Sequence, residues 1–146
     1  SSGAANALTT LTAAAATTLN LSGDQTLNLG TANSVATTVN ASDMTAALTL
    51  NTDVAGNTTV TGGSANDTIT VTNSANNTDS ITGGAGDDTI TMATNLVSTD
   101  TIEGGAGTDN LTASIAANYS GTITGVETFT IDATAGQAML RSRMLV

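Results

Sequence analysis

GGAGDDTIT, residues 83–91, packs three glycines and two aspartates into six positions and then switches at once to an alternating Thr/Ile run. Glycine supplies no side chain for packing but reaches backbone conformations closed to other residues, so a cluster of three marks a sharp bend. The run behind it alternates with period 2, the pattern of a strand with one buried face. The stretch reads as a turn feeding a strand, with carboxylates at the joint.

The phrase recurs at fixed spacing. GGSANDTIT (62–70) and GGAGTDNLT (104–112) lie 21 residues to either side. The same 21-residue slide aligns apolar positions from end to end. Leu27, Leu48, Ile69, Ile90 and Leu111 form one ladder, and Leu29, Leu50, Val71, Met92 and Ala113 a second. Val39, Val60, Ile81, Ile102 and Ile123 form a third, inside short runs such as Asp79-Ser80-Ile81-Thr82 and Asp100-Thr101-Ile102-Glu103. Each repeat is therefore strand, turn, strand, turn. Such repeats stack most simply as an all-β, right-handed parallel β-solenoid with coils of about 21 residues, each advancing about 4.8 Å along the axis. Accidental periodicity in a Thr/Ala/Asn-rich chain and a β-sandwich are the alternatives; neither requires a constant repeat length.

Composition agrees with thin stacked layers. Aromatic residues make up 1% of the 146, only Tyr119 and Phe129, whereas Thr supplies about one residue in five. β-Branched side chains favour strands, and a core without aromatics suits narrow coils better than a broad globule. There is no Cys and no Pro, so neither a disulfide framework nor a thiolate metal site is available. Twelve acidic residues stand against Arg141 and Arg143, for a net charge of −10. That balance disfavours nucleic acid and attracts cations. No apolar run has the length of a transmembrane helix, so membrane insertion is not expected, and no signal peptide is visible. The chain opens on Ser1 rather than Met, as a processed product or a piece of a longer protein would. Residues 1–26, with the Ala13–Ala16 run, read as an irregular first coil or cap, 27–132 as the repeats, and 133–146 as a tail or contact segment.

The glycine-aspartate turns have a chemistry of their own. Glycines let the backbone turn carbonyl oxygens inward, and Ca²⁺ takes six to eight hard oxygen ligands from carbonyls and carboxylates. Stacking would set Asp67, Asp88 and Asp109 in a column, where like charges repel unless a cation lies between them. The alternative is a plain tight turn, with Asp serving local backbone hydrogen bonds.

Two of the three turns match G-G-x-G-x-D-x-U-x, with U a large apolar residue, and the third has Ala65 at the third glycine. In these motifs the chain resembles the secreted RTX calcium-binding β-roll proteins. Within them it is most similar to the Thr/Ala/Asn-rich surface-layer proteins of Gram-negative bacteria, through TVNASDMTAALTLN (38–51) and GTITGVETFTID (121–132). The resemblance implies Ca²⁺ between successive turns. Its ligands would come from the segments of Gly62, Gly63 and Asp67, of Gly83, Gly84, Gly86 and Asp88, and of Gly104, Gly105, Gly107 and Asp109. Family β-rolls carry such turns on both flanks of an 18-residue coil. Here NSANN (73–77) and ATNLVS (93–98) lack the motif, so metal is expected along one flank only.

The sequence offers little for catalysis. With no His, Cys or Lys, acid–base or nucleophilic work would fall to carboxylates, hydroxyls or Tyr119. The function expected from the resemblance is a structural surface-layer protein or domain, secreted to the cell surface and assembling with Ca²⁺. Its partners would be other copies of the chain and cell-surface polysaccharide. An extender module of a large RTX adhesin or filament is the alternative. An ice-binding solenoid, suggested by outward Thr files such as Thr38, Thr59, Ser80, Thr101 and Thr122, and the non-catalytic β-roll of a secreted enzyme are further ones.

Overall fold

The computed structural model describes residues 6–7, 17–30, 36–53, 55–72, 77–115 and 119–131. The Ala13–Ala16 run and the tail at 133–146 lie outside them. Among the described residues every regular element is a strand. The even-numbered strands are β2 (Thr18–Gly23), β4 (Thr38–Met44), β6 (Thr59–Thr61), β8 (Ser80–Ala85), β10 (Thr101–Ala106) and β12 (Thr122–Thr124). They form one sheet in the order β12-β10-β8-β6-β4-β2. The odd-numbered strands are β1 (Asn6–Ala7), β3 (Leu27–Asn28), β5 (Leu48–Thr52), β7 (Thr68–Val71), β9 (Thr89–Leu96), β11 (Asn110–Ile115) and β13 (Thr128–Ile131). They form the second sheet, in sequence order from β1 to β13. All neighbours are parallel. The chain thus alternates between the two sheets and advances one strand in each per coil, which makes a β-solenoid of about five turns with coils of about 21 residues.

Period-2 alternation decides which side chains enter the core. In Thr68–Val71 and Thr59–Thr61 the apolar residues are buried while Thr68 and Thr59 face out. Val39, Ile69, Ile81, Ile90, Ile102 and Leu111 are each 0% exposed and fill the space between the sheets. Val39, Val60, Ile81, Ile102 and Ile123 stand in register, as the period predicts. The Thr38, Thr59, Ser80, Thr101 and Thr122 file is likewise in register.

The other two ladders need a correction at one step. Leu27 does face Leu48, but Ile69 pairs with Leu50 and Val71 with Thr52. The coil between these strands is 19 residues, because the chain from Val39 to Leu50 is two residues longer than from Val60 to Ile69. A slip of two residues preserves which face is buried, so both registers satisfy the apolar pattern. The slip carries Thr52 into the core file, where it is 0% exposed and its Oγ1 has no hydrogen-bond partner. The last coil departs too: Leu111 pairs with Phe129, a step of 18 residues. A register shift in β9 opposite Ala113 and Ser114 brings Leu96, 0% exposed, opposite Ile115.

Candidate metal site

The three glycine-aspartate turns connect β6 to β7, β8 to β9 and β10 to β11, so they stack along one flank. Close approach explains the first glycine of each. A Cβ on Gly62, Gly83 or Gly104 would overlap the carbonyl oxygen of Gly83, Gly104 or Gly125, respectively, one coil further on. Backbone conformation explains others. Gly84 and Gly105 have φ of 117° and 118°, and Gly86 and Gly107 have 115° and 140°, a region that side chains rarely tolerate.

Asp67, Asp88 and Asp109 are 1%, 1% and 0% exposed and form the expected column. One oxygen of each carboxylate is committed to the backbone of the preceding coil. Leu48 N donates to Asp67 Oδ1 (2.8 Å), Asp67 N to Asp88 Oδ1 (2.7 Å) and Asp88 N to Asp109 Oδ1 (2.8 Å). The column is thus also a hydrogen-bonded ladder, since each carboxylate satisfies an amide that a turn would otherwise leave without an acceptor. Outside it runs a second side-chain ladder: Asp87 N donates to Asn66 Oδ1 (3.0 Å) and Thr108 N to Asp87 Oδ1 (2.8 Å).

The second oxygens differ from turn to turn. In the first turn Gly63 N donates to Asp67 Oδ2 at 2.7 Å, and the turn closes on itself. In the second and third, Asp88 Oδ2 and Asp109 Oδ2 are buried without any hydrogen-bond partner. The difference lies at the second glycine, since Gly84 and Gly105 have positive φ and Gly63 does not. Each orphaned oxygen shares its space with a carbonyl. Asp88 Oδ2 and the Gly104 carbonyl oxygen crowd the same point beside Gly83, and Asp109 Oδ2 and the Gly125 oxygen the same point beside Gly104.

A buried carboxylate oxygen without a donor is costly. Burial raises the Asp88 carboxyl from 3.8 to about 6, against the pull of the Asp67 N–H and with help from the charges of Asp67, Asp109 and Asp87. Burial also raises Asp67, opposed by the amides of Gly63 and Leu48. These are the properties of a cradle for a hard cation: charged oxygen, carbonyl oxygen, and no competing donor. Among the described residues no three acidic side chains converge on one point. With one column aspartate per turn, an ion here would need its remaining ligands from carbonyls and water.

On the opposite flank the structure shows a second aspartate column that the turn motif does not announce. Asp79 and Asp100 are 3% and 2% exposed. Thr58 N donates to Asp79 Oδ1 (2.8 Å), Asp79 N to Asp100 Oδ1 (2.9 Å), and Val97 N to Asp100 Oδ2 (2.9 Å). Both Asp100 oxygens are occupied, so this column is built from backbone hydrogen bonds. Their signal in the sequence was the spacing of 21 between Asp79 and Asp100. Beside it, burial and the Asp100 charge push the Tyr119 hydroxyl up to about 12.

A family model of the RTX calcium-binding nonapeptide repeat (four copies) matches residues 54–76, 73–91 and 98–118. No curated protein and no solved structure matches the chain. The matched segments contain all three glycine-aspartate turns, including the orphaned carboxylate oxygens of Asp88 and Asp109. The chain carries RTX calcium-binding nonapeptide repeats, set into the turns along one flank of a parallel β-solenoid.

Proposed function

We propose that this chain is a calcium-clamped structural module of a bacterial surface layer, exported and assembled from many copies. The observation that carries the calcium assignment is the buried, unpartnered Asp88 Oδ2, which approaches Gly83 together with the Gly104 carbonyl oxygen. In this reading Ca²⁺ lies between successive turns. Its carboxylate ligands are Asp67, Asp88 and Asp109, and its carbonyls come from the segments of Gly62, Gly63, Gly83, Gly84, Gly86, Gly104, Gly105 and Gly107. The gap between the second and third turns binds best, because Asp67 already has an internal donor for its second oxygen.

Sites built largely from carbonyls, with few carboxylates, suit the millimolar calcium found outside cells, and RTX repeats are typical of secreted proteins. Assembly is supported by the sheet edges. Among the described residues, β1 and β13 end one sheet and β2 and β12 the other. Unpaired parallel edges invite further strands. The partners in this reading are further copies and the polysaccharide of the cell surface, and the module is non-catalytic.

Light scattering and negative-stain images across a calcium titration test the reading. Ordered sheets or filaments that form in millimolar calcium and disperse in chelator are expected. A calcium-loaded protein that stays monomeric at high concentration would replace the lattice with an extender module of an adhesin.

A further inference from the structure

The aspartate ladder on the metal flank ends on a residue of a different kind. The coil from β11 to β13 is three residues shorter than the 21-residue coils before it, and the nonapeptide is absent from its turn. Glu127, just before Thr128 as Asp109 is just before Asn110, fills the aspartate position. Asp109 N donates to Glu127 Oε2 at 2.7 Å, as Asp88 N donates to Asp109 Oδ1 at 2.8 Å.

The cradle beneath Glu127 repeats the one between the second and third turns. Asp109 is 0% exposed and its Oδ2 has no partner. That oxygen lies 2.6 Å from the position a Gly104 Cβ would take, and the Gly125 carbonyl oxygen overlaps the same position. Gly125 and Glu127 are exposed, so the turn that covers this buried oxygen lies at the surface.

We propose that the final turn, Gly125–Glu127, which lies outside the residues that the repeat model matches, closes a further calcium site with Asp109. Its protein ligands are Asp109 Oδ2, the Gly125 carbonyl and the Glu127 carboxylate, with water completing the shell. Two carboxylates and a carbonyl beneath a surface turn suit Ca²⁺. Mg²⁺ needs a tighter octahedron and gives up water reluctantly. The site would lock the last coil, which has no complete nonapeptide, to the coil before it. The proposal rests on the calcium reading of the nonapeptide turns.

Calorimetric calcium titration of the full chain tests it, with Glu127→Gln, Glu127→Ala and Asp88→Asn as variants. Gln keeps an oxygen for the Asp109 N–H and removes the charge; Ala removes both. Glu127→Gln is expected to lose one bound calcium, or at least tenfold in affinity at one site, with an unchanged circular dichroism spectrum in calcium. Asp88→Asn should lose a different ion, so that the double variant loses both. If Glu127→Gln binds as the parent does and only Glu127→Ala differs, Glu127 is a hydrogen-bonding cap and the proposal fails, while the nonapeptide sites stand. If the parent chain binds no calcium, both readings fall together. Magnesium in place of calcium should give no heat at this site; equal binding of the two would overturn the choice of ion.

Discussion

Replacing Asp88 with Asn separates its structural work from its work as a ligand. The amide oxygen can still accept the Asp67 N–H, now at 2.7 Å from Oδ1. The amide nitrogen, placed where Oδ2 stood, is uncharged and lies beside Gly83, which the Gly104 carbonyl oxygen also approaches. Without calcium the substitution removes a strained charge. The carboxyl is raised from 3.8 to about 6, and each tenfold change in its ionisation is worth about 1.4 kcal/mol, so its ionised form costs the fold up to about 3 kcal/mol at pH 7. That cost is absent below pH 4, where the carboxyl is protonated folded and unfolded. It grows as pH rises from about 4 to 6 and is constant above. In chelator at pH 7 Asp88→Asn should therefore melt higher than the parent, by up to about 10 °C for a chain of this size. Its melting point should be flatter between pH 4 and 7. In calcium the difference closes: a site held at a hundred times its dissociation constant adds about 2.7 kcal/mol to the parent, nearly offsetting that cost, and the variant should forfeit that gain. Thermal melts by circular dichroism in chelator and in calcium, at pH 4.5 and 7, read all of this. A variant destabilised in chelator at pH 7, with its calcium-induced gain intact, would refute the reasoning.

Ile90→Ala opens a cavity at a 0% exposed core position and should cost about 2–5 kcal/mol by denaturant unfolding, with or without calcium. Asp100→Ala strips the acceptors from the amides of Asp79 and Val97; it should cost about 1–3 kcal/mol per stranded amide, while calorimetry finds the calcium stoichiometry unchanged. Thr52→Val replaces a buried hydroxyl that has no partner with a methyl of similar shape, and should raise the unfolding free energy by about 1 kcal/mol.

The sequence carries the coil clearly, because a constant spacing of turns and alternating apolar residues leaves few arrangements that bury every ladder. It carries the register less well. Leu48 and Leu50 are both apolar and two apart, so opposing Ile69 with either keeps the same face inward. Only the longer path from Val39 to Leu50 marks the slip. The aspartates of the turns are legible as oxygen donors, but not the division of labour within each carboxylate. That Oδ1 serves the neighbouring backbone while Oδ2 stays free at Asp88 and Asp109 depends on the φ of Gly84 and Gly105, which no motif states. Glu127 escapes a 21-residue slide because the last coil is three residues short, so Thr130 lands opposite Asp109 in its place. Asp79 and Asp100 share the period, yet lie just before strand residues and beside no glycine pair, and so read as part of the strands.

The central claim is that calcium between the aspartate turns holds the coils together. Its most direct measurement is the circular dichroism melt of the intact chain in millimolar calcium and again in excess chelator. The account predicts loss of the β signal, or a large fall in melting temperature, when the ion is withdrawn at pH 7. Superimposable melts in calcium and chelator would contradict it.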